Sequence, residues 1–377
     1  MATNDILTPR FMLEVVEHIP IPRNYFAQGY FPTTEVTDEE LTWDVLKEEQ
    51  NLAGLYSIDG KIMSGHEAIF GQMFADICRI GAARTVSESE WRKLRDPGMV
   101  GIRTGVVGDI RAEIERKIAR KLVDCTREVN ATMEYLCMNA LQGYIPWPPP
   151  GYPKSASEYA IGNAVMTVDY NFPADHKIRA DNTTVFGTGA ALWSDTTNSD
   201  PVKAIQVIAE KIEDDAGIPA DSLDMIMTRR TVRLMGENTK LRNLMKYTDI
   251  AGVLNFGLIA RYMEDYLGIR PRIYSAQYTY RTVGTSDPSD ITINRIRMLN
   301  TNKVLFVPRG TQIGDFATSP AQANNWRPGR FTWRKEEQNP WRMEIGVGIN
   351  GFPRMIKPEC IFVVQVEEDP TGLKSKK

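Results

Sequence analysis

Cysteine and histidine are scarce in this 377-residue chain, which holds four of the first and three of the second. Cys78, Cys125, Cys137 and Cys360 show no CxxC or other zinc-like spacing, and Cys125 and Cys137 fall on one predicted helix too far apart to bridge each other. They read as reduced thiols of a cytosolic product, which leaves the glycosylation sequons at Asn130 and Asn182 idle. His18, His66 and His176 are dispersed, and His66-Glu67 lacks the second histidine of a zinc-protease helix. No GxSxG elbow is present and no cysteine has a catalytic setting, so no catalytic residue, cofactor or metal site is expected. Long apolar runs are missing as well. The strongest, Ile361 to Val366, has the length of a strand, far from the ~20 residues of a bilayer span. The first residues carry neither a basic nor an apolar segment, so no secretory signal is expected. Positive charge is not in excess: 45 Lys and Arg against 48 Asp and Glu leave −3 at neutral pH. A general nucleic-acid binder would show a strongly basic face or an isoelectric point above about 9.

What is present is the composition of a folded protein, 42% hydrophobic and 25% charged, with length for two or three domains. Leu7 to Ile19 reads as a short amphipathic helix stopped by Pro20 and Pro22. Next comes a segment with four aromatics (Tyr25, Phe26, Tyr30, Phe31) and no clear period. Such a segment needs a surface to lie on, either its own domain or a neighbouring subunit. Residues 53–86 read as a strand-rich excursion with a hairpin signal at Asp59-Gly60, near Tyr56. Ser87 and Glu90 form a capping box for a short helix that ends by Asp96-Pro97-Gly98.

The most informative element runs from about Asp109 to Gln142. Apolar residues recur at Ile110, Ile114, Ile118, Leu122, Cys125, Val129, Met133, Leu136, Ala140 and Leu141, in steps of three and four along one helical face. At 1.5 Å per residue such a helix is about 50 Å long, so something elongated must run beside it. Strand-like sequence on both sides disfavours a coiled coil. Pro146 to Pro153 is a stiff connector. Beyond Ser194 the texture becomes mixed. Asp200-Pro201 caps an amphipathic helix through Val202, Ile205, Ile208 and Ile212. Strand candidates at 225–227, 272–274 and 303–307 alternate with helices near 231–234, 238–246 and 255–267, ending near Gly329. Phe331 to Glu368 is strand-like and is expected to return onto the long helix. The final Lys374 to Lys377 reads as a solvated end.

Two motifs invite chemistry. Gly346-Val-Gly348-Ile-Asn-Gly351 matches GxGxxG, but no room remains for a βαβ unit, so a glycine-rich turn or bulge between strands is expected. The acidic run Glu213-Asp214-Asp215 at a helix end reads as a solvated loop. One pattern recurs: Trp326-Arg327, Trp333-Arg334 and Trp341-Arg342 each set an aromatic beside a guanidinium. Trp and Arg dominate interface hot spots and also stack single-stranded bases. The structural alternative buries the indoles in a sheet with the arginines reaching outward.

The order of these pieces resembles the major capsid fold of tailed bacteriophages and herpesviruses, and local sequence is similar to the lambda-like major capsid protein E family. The stretches that carry the likeness are Ile19 to Phe26 with Phe31-Pro32, Gly189 to Asp195, Asp200 to Ile205, Met225 to Arg229 and Gly314 to Pro320. The resemblance implies an α+β fold with N-arm, E-loop, long spine helix in a peripheral domain, and inserted axial domain. The arm would occupy 1–45, the E-loop region and connector 46–105, and the peripheral domain 106–195 with the spine helix at about 109–142. The axial domain would occupy 196–329, and the return to the peripheral domain with the tail 330–377. It further implies a non-enzymatic shell protein that forms hexamers and pentamers of itself around double-stranded DNA, in a virion assembled in the host cytoplasm. Its expected partners are a separate scaffolding protein, a portal and a decoration protein, with DNA held non-specifically and no membrane. Interface candidates are Tyr25, Phe26, Tyr30, Phe31, Tyr56, Trp326, Arg327, Trp333, Arg334, Trp341 and Arg342. The aromatic arm is expected to be poorly ordered in a free subunit. Where relatives carry a proline-and-lysine stretch, this chain reads Ile77 to Thr85, so roles there do not transfer; some members of the fold cross-link through a lysine and an asparagine, and as nothing identifies such a pair here, no covalent cross-linking is expected. The alternatives are an encapsulin-like compartment of the same fold and a nicotinamide-dependent oxidoreductase built on the glycine motif.

Overall fold

The computed structural model describes residues 9–37, 40–46, 70–87, 107–147, 149–150, 166–246, 256–283, 291–338 and 341–368. The chain opens with helix α1 (Pro9–Glu17), a 3-10 turn at Ala27–Tyr30 and strands β1 (Thr33–Glu35), β2 (Glu40–Leu46), β3 (Phe70–Asp76) and β4 (Arg79–Ser87). The hairpin signal at Asp59-Gly60 and the helix expected after Ser87 lie outside the described residues. Helix α2 (Val107–Leu141) is followed by β5 (Tyr144–Trp147), β6 (Met166–Asp169), β7 (Lys177–Arg179), the single turn α3 (Thr183–Phe186) and helix α4 (Pro201–Ala216). Then come β8 (Leu223–Met227), α5 (Arg229–Glu237), α6 (Thr239–Lys246), α7 (Phe256–Tyr262) and β9 (Arg270–Ile273). The chain closes with β10 (Gln277–Val283), β11 (Ile291–Arg297), β12 (Lys303–Pro308), β13 (Gly314–Thr318), β14 (Arg330–Gln338), β15 (Trp341–Met355) and β16 (Phe362–Gln365). Two compact units form, each from three separate stretches of chain.

The first unit comprises Met1–Leu41, Phe74–Cys137 and Asp315–Arg354. It holds nearly all of α2, whose buried residues Ile118, Leu122, Cys125, Val129, Met133 and Leu136 are those the periodicity picks out. The side chains of Ile110 and Ile114 lie outside the described residues. A second stripe, Thr126, Asn130 and Glu134, is also fully buried, although it is polar. The sheet of this unit runs β1-β13-β15-β14, with β4 along β15 as well. The sequence led us to expect a glycine-rich turn or bulge at the GxGxxG motif, and this is corrected: the motif occupies the interior of the 15-residue β15. Register places Gly346 opposite Trp333 and Gly348 opposite Phe331. A Cβ on Gly346 would stand 2.2 Å from the Trp333 ring, and one on Gly351 2.4 Å from the Phe316 ring. The glycines are therefore seats for aromatic rings, which recover the burial that a bare strand position forfeits.

The second unit comprises Thr42–Met73, Met138–Gly314 and Met355–Lys377. Its five-stranded sheet runs β7-β16-β12-β8-β9. Strand β16 is antiparallel to β12 and parallel to β7, so the last strand of the described residues sits inside this sheet, second from one edge. Helix α4 starts as expected. The Asp200 carboxylate accepts from the Lys203 amide, Pro201 takes the first turn, and Gly217 ends the helix in the left-handed region at φ 65°. Val202, Ile205, Ile208 and Ile212 form its buried face. Helix α7 continues into a π-helical turn at Met263–Leu267. Strands β10 and β11 pair with each other as an antiparallel hairpin.

Candidate assembly surface

The aromatic segment after α1 is tied to its own unit through a buried carboxylate. The Ala27 amide donates to Glu134 Oε1 at 2.9 Å and the Gln28 amide to Oε2 at 3.2 Å. The Gln28 side chain donates to the Asn130 carbonyl at 3.0 Å, and Arg330 Nη2 donates to Asn130 Oδ1. Glu134 thus satisfies the free N–H groups that open the 3-10 turn, as an anion at a helix start does. Just beyond, the Phe316 amide donates to the Pro32 carbonyl and β1 pairs in parallel with β13. Ala27 and Phe31 are buried, and Tyr25, Phe26 and Tyr30 are partly covered. Burial, reinforced by the Glu134 charge, raises the Tyr25 phenol pKa above its ordinary value, and burial lowers that of the Arg330 guanidinium. The expectation of a loose arm is corrected over residues 27–35, because its backbone bonds are taken up within the chain. Asn130 is fully buried, which closes its sequon.

The three Trp-Arg pairs part company. Trp333 lies over Gly346 and Gly81 within the sheet, and its Nε1 donates to Glu344 at 3.1 Å. Arg334 pairs with Glu336, and Arg342 pairs with Glu337 at 3.4 Å. Trp326 is 70% exposed. It sits with Asn325 in a tight turn, both at positive φ (58° and 52°), a conformation that costs a bulky residue of order 1–3 kcal/mol. Arg327 is exposed beside it. The Trp341 side chain and all of Tyr56 lie outside the described residues.

Other titratable groups are engaged structurally. His176 is buried, with Nδ1 3.1 Å from the Ile361 carbonyl and Nε2 2.8 Å from Asp215 Oδ2. Lys211 bridges Asp215 at 3.2 Å and Asp175 at 2.7 Å. Asp215 is therefore a partner of a buried ring, which corrects its reading as part of a solvated run. Burial pushes its carboxyl pKa up, but hydrogen bonds from His176 and Lys211 outweigh that and leave it lowered. Asp224, buried in β8, faces Arg272 at 3.2 Å, Arg309 at 3.5 Å and Arg270 at 3.8 Å. Among the described residues no group of three His, Cys, Asp or Glu could hold a metal. None of their helices is long and apolar enough to cross a membrane.

What the geometry offers is a sheet-and-helix body with an anchored aromatic segment and an indole presented to solvent. The family model described as phage major capsid protein E matches residues 8–346. The chain belongs to the phage major capsid protein E family. No curated protein matches it significantly. Among solved structures, a protein assigned as the capsid protein of a prophage of E. coli CFT073 is similar at TM-score 0.56 and 13% identity, covering 96% of this chain and 99% of that one. A phage-related protein from Bordetella bronchiseptica RB50 follows at TM-score 0.50 and 13% identity, covering 94% and 96%. These likenesses show the fold, a mixed helix-and-sheet phage capsid fold. Family membership makes this a shell-forming capsid protein, a component of the virion.

In this capsid protein the residue that sequence reasoning missed is Glu134. The signal for it was present: Thr126, Asn130 and Glu134 recur every four residues beside the apolar face of α2. A polar stripe inside a helix that must be covered on more than one side needs buried partners.

Proposed function

We propose that many copies of this chain form the hexamers and pentamers of an icosahedral head around the double-stranded DNA of a tailed phage. The family match across residues 8–346 carries this reading. In it, residues 1–45 serve as the N-arm, 46–105 as the E-loop region and connector, 106–195 as the peripheral domain with α2 as spine helix, 196–329 as the axial domain, and 330–377 as the return. The protein acts mechanically and catalyses nothing. A separate scaffolding protein guides assembly in the host cytoplasm, a portal occupies one vertex, and a decoration protein is a further candidate partner. The near-neutral charge suits a wall that DNA slides past, since few phosphates are neutralised by it.

Among the candidate contact residues, Trp326 with Arg327 is the best supported. A strained backbone that holds an indole out in water gains when a neighbour covers it, at roughly 25 cal/mol per Å² of apolar surface. Tyr25, Phe26 and Tyr30 contribute only the faces their own chain leaves open. Co-expression with the scaffolding protein, followed by negative-stain electron microscopy and light scattering, tests the function. Shells, tubes or hexameric rings are the expected products. A compact dimer or tetramer that never assembles would refute it. Trp326→Ala should lower particle yield without changing the melting temperature of the free subunit.

A further inference from the structure

A cavity of about 460 Å³ opens on the second unit between α5, α6, the start of α7 and the end of β9. Its walls combine apolar surface from Val232, Phe256 and Ile273 with the guanidinium groups of Arg229 and Arg242. A third arginine there, Arg233, is already matched by Glu237 at 3.8 Å. Arg229 and Arg242 are exposed and have no acidic partner among the described residues. The cavity therefore asks for a ligand that is anionic at one point and apolar or aromatic at another.

The same unit displays such a group. On the π-helical turn that extends α7, Glu264 and Asp265 are exposed beside Tyr266, which is 61% exposed and stacked on Tyr262 at 5.3 Å. Asp265 is partly matched by Arg261 at 3.3 Å, which leaves Glu264 as the carboxylate of the turn with no basic partner among the described residues. Among the described residues of this unit, the exposed acidic run Glu213-Asp214-Asp215 has no exposed large aromatic beside it in sequence. Neither Glu264 nor Tyr266 lines the cavity of its own chain. Phe256 and Glu264 lie toward opposite ends of one helical element, about 12 Å apart along its axis at 1.5 Å per residue. Distinct donor and acceptor surfaces on one subunit suit a head-to-tail contact, the kind from which rings of identical subunits are built when the rotation closes.

We infer that the occupant is a second copy of this chain. The Glu264–Tyr266 turn of one subunit enters the Arg229/Arg242 cavity of the next, with the carboxylate between the guanidiniums and the phenol against Phe256. This rests on the shell-forming reading above and specifies one contact within it. Arginine and tyrosine are the residue types such contacts favour, and a charge-assisted pair fixes the register. The test uses the full chain with its scaffolding protein. Arg242→Glu and Glu264→Arg, each alone, should cut particle yield at least tenfold, and the two together should recover a clear part of it, the unchanged Arg229 preventing full recovery. Independently, the pair Arg242→Cys with Glu264→Cys, treated with a bifunctional maleimide long enough to span the site of the lost ion pair, should give a ladder of cross-linked oligomers on denaturing gels, absent from either single cysteine variant. Single variants that assemble like the parent, or a double variant no better than the singles together with no ladder, would overturn the contact while leaving the capsid function standing. A parent chain that forms no particles under any condition would overturn both.

Discussion

Removing the Glu134 carboxylate should release the aromatic segment from α2, and the size of the effect follows from its two bonds. Ala27 and Gln28 donate their amides to it at 2.9 and 3.2 Å, and Glu134 is fully buried. Hydrogen bonds to a charged group are worth about 1.5–3 kcal/mol each, and a buried donor left without a partner keeps its desolvation cost. Glu134→Ala should therefore raise the population of the detached state by at least about 3 kcal/mol, roughly 10²-fold. The loss is local in kind, since detachment lets the orphaned amides reach water instead of breaking the whole unit. Glu134→Gln keeps the shape and one acceptor oxygen but turns an N–H₂ toward one amide, so it should cost about half as much, close to tenfold. Amide hydrogen exchange on the unassembled full-length subunit reads this directly at Ala27 and Gln28. Unchanged exchange at both amides in Glu134→Ala, with the rest of the subunit natively protected, would refute the anchoring role.

Three further outcomes follow from other sites. Gly346→Ala places a methyl 2.2 Å from the Trp333 ring and should destabilise the first unit by about 1–3 kcal/mol; Trp333→Leu should relieve much of that in the double variant, as thermal unfolding would show. The Cys125 thiol is pushed up to about 11, mainly by burial, and burial raises Cys137 as well. Both should resist thiol reagents at pH 8 and react only after denaturation, so rapid labelling of either in the native subunit would contradict the packing. Asp215 has a folded pKa below its unfolded value, so its contribution to stability is full above about pH 4 and is lost as pH falls through the lowered folded value. Asp215→Asn should flatten the acid limb of the melting curve across that window, and a parallel curve would count against the His176–Asp215–Lys211 cluster.

The parts legible in the sequence are those where local rules repeat. Helix α2 spans Val107–Leu141 against an expected 109–142, because some ten apolar positions vote for one face. Helix α4 was readable from Asp200-Pro201 alone. Elements set by distant partners were not. The GxGxxG letters are the same in a turn and in a strand interior, and only the register against Trp333 and Phe331 decides between them. His176 and Asp215 lie 39 positions apart, Ala27 and Glu134 107 apart, and no period links either pair. The β10–β11 hairpin escaped notice because Gln277 to Val283 sets Tyr278 and Tyr280 among Gln, Thr and Arg and has no aliphatic residue before Val283. For the contact surface, the Trp-Arg dipeptides were visible, but which indole faces water depends on backbone turns: the left-handed pair Asn325-Trp326 exposes one ring, and the glycines of β15 and β4 accept another.

The position of β16 sets a clock on the subunit. Val363 pairs with Lys177 on one side, and Leu305 on the other. At 5–20 residues per second, Lys177 and Val363 are synthesised roughly 10–40 s apart. Until then β7 and β12 each keep an open edge, the kind of edge that recruits foreign strands. The second unit therefore cannot close this sheet before Val363 has been made. Copies made side by side on one messenger each lack that strand until then, and become able to join neighbours only once each chain has closed its own sheet.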